Sequence, residues 1–300
     1  MKVIVQKKIL LMFIISLLII LQIVPVQASD NQIRVASNSY KQGDYIYYCT
    51  NKGIERLNIK TGNHGLFISD KYKGQDTNGF RDLNIKDNYI YCTYDLQLGT
   101  TDNIIYVYKI GKNGDKKKLD SGHSPLVVGN WIYYVKSKFI TEFNFTYQED
   151  IGIYKMKLDG SSKTKVSNYP YIMGVTKSKL LVYKGSKIKS IDLKNNKIQK
   201  EIWLNRAYTT GNWSDTWQGA MSVGERVYTY DEKRITYKTG TYETGIAYEA
   251  PNGTYIREYD VLGGWIIVRA ISDGGEYNSC VYAIKMNGTK KILLAKWWDV

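Results

Sequence analysis

Apolar positions along the chain come in short runs of three to six, rich in Tyr, Ile, Val and Trp and bounded by Gly, Asn and Asp. Runs of that length and composition suit pleated strands, and helical spacing is nearly absent after residue 28. One run recurs six times, as GDYIYY, DNYIYC, GNWIYY, SKLLVY, ERVYTY and GGWIIV. Its first large apolar residues are Tyr45, Tyr89, Trp131, Leu180, Val227 and Trp265. The intervals of 44, 42, 49, 47 and 38 residues give a strand-borne period in the forties, the mark of propeller blades. Apolar and polar positions do not alternate cleanly within the runs, as expected of strands covered on both faces by neighbouring blades.

Turn chemistry divides each repeat into four strands. Repeat three reads as a strand near 126–128, a tight Gly129-Asn130 turn, a strand over 131–135, a long loop over 136–152, a strand over 153–158, an Asp159-Gly160 turn and a strand over 164–167. Asn-Gly and Asp-Gly suit two-residue hairpins, whose central positions need positive φ. Equivalent turns stand at Asn113-Gly114, Asn287-Gly288 and Thr61-Gly62. The prediction is an all-β fold, a six-bladed β-propeller of four-stranded antiparallel blades. Residues 33–37 either open the first repeat or complete the last one beside 291–297.

The segments WIYY and IYKMKLDGSSKTKV in repeat three resemble a blade of the low-density-lipoprotein-receptor type of propeller, in which a YWTD strand precedes a strand ending in a Leu-Asp-Gly turn. IYVYKIGKNGDKKKL and VYAIKMNGTKKILL have the same form. The Asp that closes the YWTD strand is replaced here, by Tyr48 or Tyr134. The repeat is also similar to that of exported bacterial propellers of unassigned function. The resemblance implies a six-bladed propeller that binds something, and implies no activity.

Residues 1–28 read as a signal peptide. Lys2, Lys7 and Lys8 precede an apolar run over 9–26, and Val26 and Ala28 are small residues that suit a peptidase cutting after Ala28. An uncleaved membrane anchor is the alternative, because the run approaches a bilayer span. The remainder, 29–300, reads as one secreted or surface-held domain. Removing the three leader lysines from 42 basic residues leaves 39 against 28 acidic, a net charge of +11. That excess suits acidic envelope partners, and equally a Lys-rich compositional bias. Export argues against nucleic acid. Three cysteines, Cys49, Cys92 and Cys280, are an odd number for a disulfide framework.

Successive strands of a blade alternate direction, so connections sort onto two faces. First-to-second and third-to-fourth turns are tight. The other connections are long, over 70–81, 95–103, 136–152, 203–219 and 272–279, and a rigid scaffold presenting irregular loops is where binding sites sit. Trp203, Arg206, Tyr208, Trp213, Asp215 and Trp217, with Phe143 and Tyr147, are the candidate ligand-binding residues. Aromatic rings beside carboxylates and amides suit a glycan, or a protein hot spot. Lys71 and Lys73 add positive charge on the same face. The expected partner is a glycan or cell-wall polymer, or a protein at the cell surface. A carbohydrate-active enzyme using loop carboxylates such as Glu149 and Asp150 is the alternative. His123, in SGHSP, is next to Ser124 but lacks a recognisable third partner. No catalytic set, metal-ligand spacing or cofactor motif stands out.

Overall fold

The computed structural model describes residues 37–69, 79–98, 102–111, 113–142, 145–175, 178–184, 187–201, 221–223, 226–239, 243–272 and 275–296. All belong to one compact unit, Ile33–Val300. Among them the regular structure is entirely strand.

Each recurrent aromatic run becomes the second strand of an antiparallel meander. The first meander is β1 (Ser39–Gln42), β2 (Tyr45–Thr50), β3 (Gly53–Asn58) and β4 (His64–Ser69). The next sheet has seven strands: β5 (Gly79–Lys86), β6 (Tyr89–Leu98), β7 (Asp102–Ile110), β8 (Lys116–Val128), β9 (Trp131–Glu142), β10 (Phe145–Lys157) and β11 (Thr164–Ser167). Three four-stranded sheets follow. They are β12 (Tyr171–Val175) to β15 (Ile198–Glu201) through β13 (Lys179–Lys184) and β14 (Lys187–Asp192); β16 (Met221–Val223) to β19 (Thr244–Glu249) through β17 (Arg226–Tyr230) and β18 (Arg234–Thr239); and β20 (Thr254–Leu262) to β23 (Lys291–Lys296) through β21 (Trp265–Ser272) and β22 (Gly275–Lys285).

The seven-stranded sheet is two meanders sharing a strand. Residues 116–121 of β8 pair with β7 as the outer strand of meander two, and 122–128 pair with β9 as the inner strand of meander three. Counting β8 twice, six consecutive four-stranded meanders result. In all six, the pairing of third and fourth strands slips by one residue. The extra residues are Phe67, Leu119, Val166, Lys200, Ala247 and Leu294. A bulge there twists the outer edge away from further pairing. Leu119 and Leu294 are buried.

Apolar clusters lie between meanders. Ile46, Tyr48 and Leu57 of the first pack with Trp265, Ile267 and Leu294 of the last. Tyr47 and Ile54 pack with Phe80 and Tyr94 of the second. Tyr91 and Val107 meet Ile132 and Tyr134, and Leu126 and Tyr133 meet Val175 and Leu180. Tyr228 and Ile235 of meander five meet Ile256 and Tyr259 of meander six. Meanders five, six, one, two, three and four therefore pack in that order, meander six lying directly against meander one. The fold is an all-β propeller. Fully burying one such aromatic or aliphatic side chain contributes roughly 1.5–3 kcal/mol.

Residues 33–36, expected either to open the first repeat or to complete the last, lie outside the described residues; among those described, β23 pairs only with β22, and β1 is the first strand of the first meander. One expectation changes. The long loop over 136–152 is a ribbon: β9 and β10 stay paired to Glu142 and Phe145, past a register shift at Asp150 and Gly152. β6 and β7 likewise stay paired out to Leu98 and Asp102.

Where β8 passes from one meander to the next, Gly122 has φ +137, and a Cβ there would strike the carbonyl oxygen of Val135. An L side chain must strain or shift both strands at this point. Gly122→Ala is expected to lower stability by about 2–4 kcal/mol, read as a fall in the urea midpoint at unchanged m-value.

Candidate functional site

The inner strands break their ladders at corresponding places. β5 slips between Arg81 and Asn84, β8 between His123 and Leu126, and β20 between Ile256 and Glu258. Asp82 (φ 57) and Ser124 (φ 51) sit in the bulges in the left-handed region, unusual for non-glycine residues. Backbone groups freed by a bulge must find other partners, and here these lie in the adjacent meander.

The result is a lateral belt of hydrogen bonds. Asn38 Nδ2 donates to both carboxylate oxygens of Glu258, at 3.0 and 2.8 Å. The Asp82 N–H donates to Asn38 Oδ1 (3.2 Å) and the Leu83 N–H to the Ser37 carbonyl (2.6 Å). The Ser124 N–H donates to Asp82 Oδ2 and to Thr93 Oγ1, both at 3.1 Å, while the Thr93 hydroxyl donates to Asp82 Oδ2 at 2.6 Å. Buried Asn84 adds two bonds: its Nδ2 donates to the Pro125 carbonyl (2.7 Å), and its Oδ1 accepts from the Val127 N–H (3.0 Å). β20, β1, β5 and β8 are thus joined side by side.

Three carboxyl groups adjoin the belt. His123 Nε2 is 3.2 Å from both Asp150 oxygens, its Nδ1 is 3.0 Å from Ser124 Oγ, and Ser137 Oγ donates to Asp150 Oδ1 at 2.8 Å. Burial alone would raise the Asp150 pKa, but the His123 bond and charge and the Ser137 bond outweigh it and hold the carboxyl below its usual range. Asp120 accepts from the Tyr134 hydroxyl (2.5 Å) and from Lys136 Nζ (2.8 Å to each oxygen), with Lys163 at 3.4 Å. Its burial too is outweighed, by the Lys136 and Tyr134 hydrogen bonds and then the two lysine charges, and its pKa is lowered. Asp260 lies at a cavity of about 10 Å³, enough for one water, lined also by Asn38, Tyr48, Glu258 and Arg269. Burial, opposed by bonds to Ser37 and Ser39 and aided by the Glu258 charge, pushes its pKa up to about 7.

Asp150 is the third partner that the sequence did not reveal for His123 and Ser124. The contact crosses 27 residues and two strands, and it depends on the β8 bulge, which leaves no pattern in the chain. Ser124 spends its own N–H on Asp82 and Thr93, which removes it as a donor to an oxyanion. Glu149 and Asp150 are neighbours on β10 whose side chains diverge: Glu149 pairs with exposed Lys138 at 2.8 Å, Asp150 with His123 and Ser137. They do not converge on a common point as paired glycosidase carboxylates must. Among the described residues no group of three His, Cys, Asp or Glu is placed to hold a metal. Cys49, Cys92 and Cys280 are all free thiols.

Of the candidate ligand-binding residues, Trp203, Arg206, Tyr208, Trp213, Asp215, Trp217 and Phe143 lie outside the described residues, as do Lys71 and Lys73. Tyr147 is on β10 of the ribbon and 43% exposed. Phe139, also exposed, lies across the ribbon on β9 with its ring 5.8 Å from that of Tyr106 in meander two.

No family model matches the sequence, and no curated protein matches it. Solved structures with a similar chain path include one from a nidogen/laminin complex, 12% identical with a TM-score of 0.46, covering 83% of this chain and 92% of that one. Another is a Bacteroides fragilis protein provisionally named a 6-phosphogluconolactonase, 11% identical with a TM-score of 0.37, covering 90% and 96%. A prolyl endopeptidase is 10% identical with a TM-score of 0.38; the match covers 88% of this chain and 43% of that enzyme, less than half its length.

Asn84→Ala leaves the Pro125 carbonyl and the Val127 N–H without their partner and is expected to cost about 2–4 kcal/mol, measurable by urea titration. For Asp260 the folded pKa of about 7 exceeds the ordinary 3.8, so the folded protein retains a proton that the unfolded chain has released. Stability therefore falls as pH rises through that window and stays reduced above it. Asp260→Asn is expected to flatten this fall, so that thermal unfolding shows a larger gain over the parent at pH 8 than at pH 4.

Proposed function

We propose that the chain is an exported six-bladed propeller that serves as a binding and scaffold module at or beyond the bacterial cell envelope. Residues 1–28 are its leader, removed after Ala28, and 29–300 are the working domain. The observation that carries the reading is the β9–β10 ribbon. It reaches past the body of its blade as paired backbone and holds Phe139 and Tyr147 exposed, one on each face, on a stiff support. Aromatic side chains fixed in this way provide large contact area at little conformational cost. By chain order 203–217 falls in a fourth-to-next-first connection, the same class of long connection, and its tryptophans and Arg206 are proposed as further ligand contacts. The ligand is a glycan, neutral or anionic, or a surface protein. The neighbouring carboxylates of the belt act in the scaffold, since Asp82, Asp120, Asp150 and Glu258 are each engaged by hydrogen bonds within the protein.

Co-sedimentation of the exported protein with intact cell walls is the direct test. Binding is expected, and the double variant Phe139→Ala, Tyr147→Ala should weaken it about tenfold while unfolding stays near that of the parent. Retention on walls that ignores this variant would remove the ribbon from the site. Failure to sediment with walls of any kind would overturn the envelope reading. Mass spectrometry of the exported chain should place Ser29 at its start.

A further inference from the structure

The opposite face, formed by the tight first-to-second and third-to-fourth turns, repeats one arrangement. Tyr45, Tyr89, Trp131 and Trp265 each open a second strand just after the tight turn. Over each ring stands a cation from the third strand. Arg56 Cζ lies 4.8 Å from the centre of Tyr45, Lys109 Nζ 3.8 Å from Tyr89, Lys155 Nζ 4.7 Å from Trp131, and Lys285 Nζ 5.7 Å from Trp265. Register explains the recurrence. Arg56, Lys109 and Lys155 face Tyr47, Tyr91 and Tyr133, one step along the same face from the ring, and Lys285 faces Trp265 directly.

A ring holds a cation through its quadrupole without cancelling the charge. No described carboxylate forms an ion pair with any of the four, and the further polar partner of Lys155 is the amide oxygen of Asn196, at 3.2 Å. The four positive charges are therefore positioned without a direct ion pair, unlike Lys60, which is bound to Asp44, or Lys136, which is bound to Asp120, although Asp87 and Asp115 line the same groove as Lys109. The four mounts occupy meanders six, one, two and three, which are consecutive around the ring.

Two mounts floor open grooves. One, of about 330 Å³, joins Tyr45 and Arg56 to Asn58, Thr61, Asn63 and His64. Its equivalent in meander two, of about 520 Å³, joins Tyr89 and Lys109 to Asn113 and Lys117, and adds Asp87 and Asp115 as acceptors. Both volumes fall in the range of ligand sites. Cations to meet anionic groups, beside amides, hydroxyls and carboxylates to meet sugar hydroxyls, suit a glycan better than a nucleic acid or a lipid headgroup. The ring faces carry cations and are not free to stack on bases. We infer that the tight-turn face binds a linear anionic glycan along the arc of meanders six, one, two and three, each mount taking an anionic group in turn. The inference rests on the envelope reading only for where such a polymer is met. It needs no contribution from the ribbon face.

The test uses the exported protein and immobilised polygalacturonate, with dextran as the neutral comparison, at low and high salt. The variant Arg56→Gln, Lys109→Gln, Lys155→Gln, Lys285→Gln is set against a charge-matched control, Lys52→Gln, Lys138→Gln, Lys233→Gln, Arg234→Gln, on the other face. The parent should bind polygalacturonate and not dextran. The arc variant should lose about 30-fold or more in affinity and reduce the slope of log affinity against log salt by about two or more, with the control within about threefold. Equal losses in both variants, unchanged binding by the arc variant, or a parent that does not prefer polygalacturonate would each overturn it. So would stronger competition by single-stranded poly(dT) or by phosphatidylglycerol vesicles. Wall binding that depends on Phe139 and Tyr147 and survives the arc substitutions would leave the envelope reading standing while polygalacturonate decides the arc.

Discussion

A β-meander that bulges at its innermost strand releases backbone groups which its own sheet cannot satisfy. In this protein those groups are answered from the next meander, and the architecture of the centre follows from that exchange. Asp82 and Ser124, held at positive φ, lie at the points of exchange. Their conformations are unfavourable alone, and they persist because Asn38, Thr93 and Asp82 itself supply acceptors at 3.1–3.2 Å. Apolar packing sets the meanders side by side, and the belt fixes their relative register. Packing by itself would tolerate some sliding, whereas directional bonds do not.

The belt also explains why carboxylates are plentiful near the inner strands of a protein read as a binder. Asp82, Asp120 and Asp150 each serve as acceptors for donors that arrive from another strand. A charged group half removed from water is tolerable when paired in this way and costly when left alone. Asp260, pushed up by burial, is the exception, and it shows what the same environment does to a carboxyl whose partners are only hydroxyls.

The strand order was legible in the sequence because it depends on local chemistry. All six aromatic runs became second strands, since β-branched and aromatic residues after a Gly or Asn turn leave few alternatives. The ribbon was misread as a loop because both of its faces meet solvent: Lys138, Glu142 and Glu149 share it with Phe139 and Tyr147, which blurs the period-two signal. The belt was invisible for a different reason. Asn84, Pro125 and Val127 meet only through the order in which meanders pack, and nothing in a linear chain marks a bulge made of ordinary residues such as Asp82 and Leu83. The ring-mounted cations share that origin. Lysines are abundant throughout, and only the register of second against third strands selects Lys109 or Lys155 from among them.

The shared strand β8 has a mechanical meaning. Between meanders three and four and between five and six, described residues outside any strand separate one sheet from the next. Between meanders two and three there is no such segment: a single extended backbone is the rim of one and the hub of the other. Any pull on the outer edge of meander two is delivered along covalent bonds to the centre of meander three, through Gly122. The seven strands from β5 to β11 form one plate, a double-width panel among single ones.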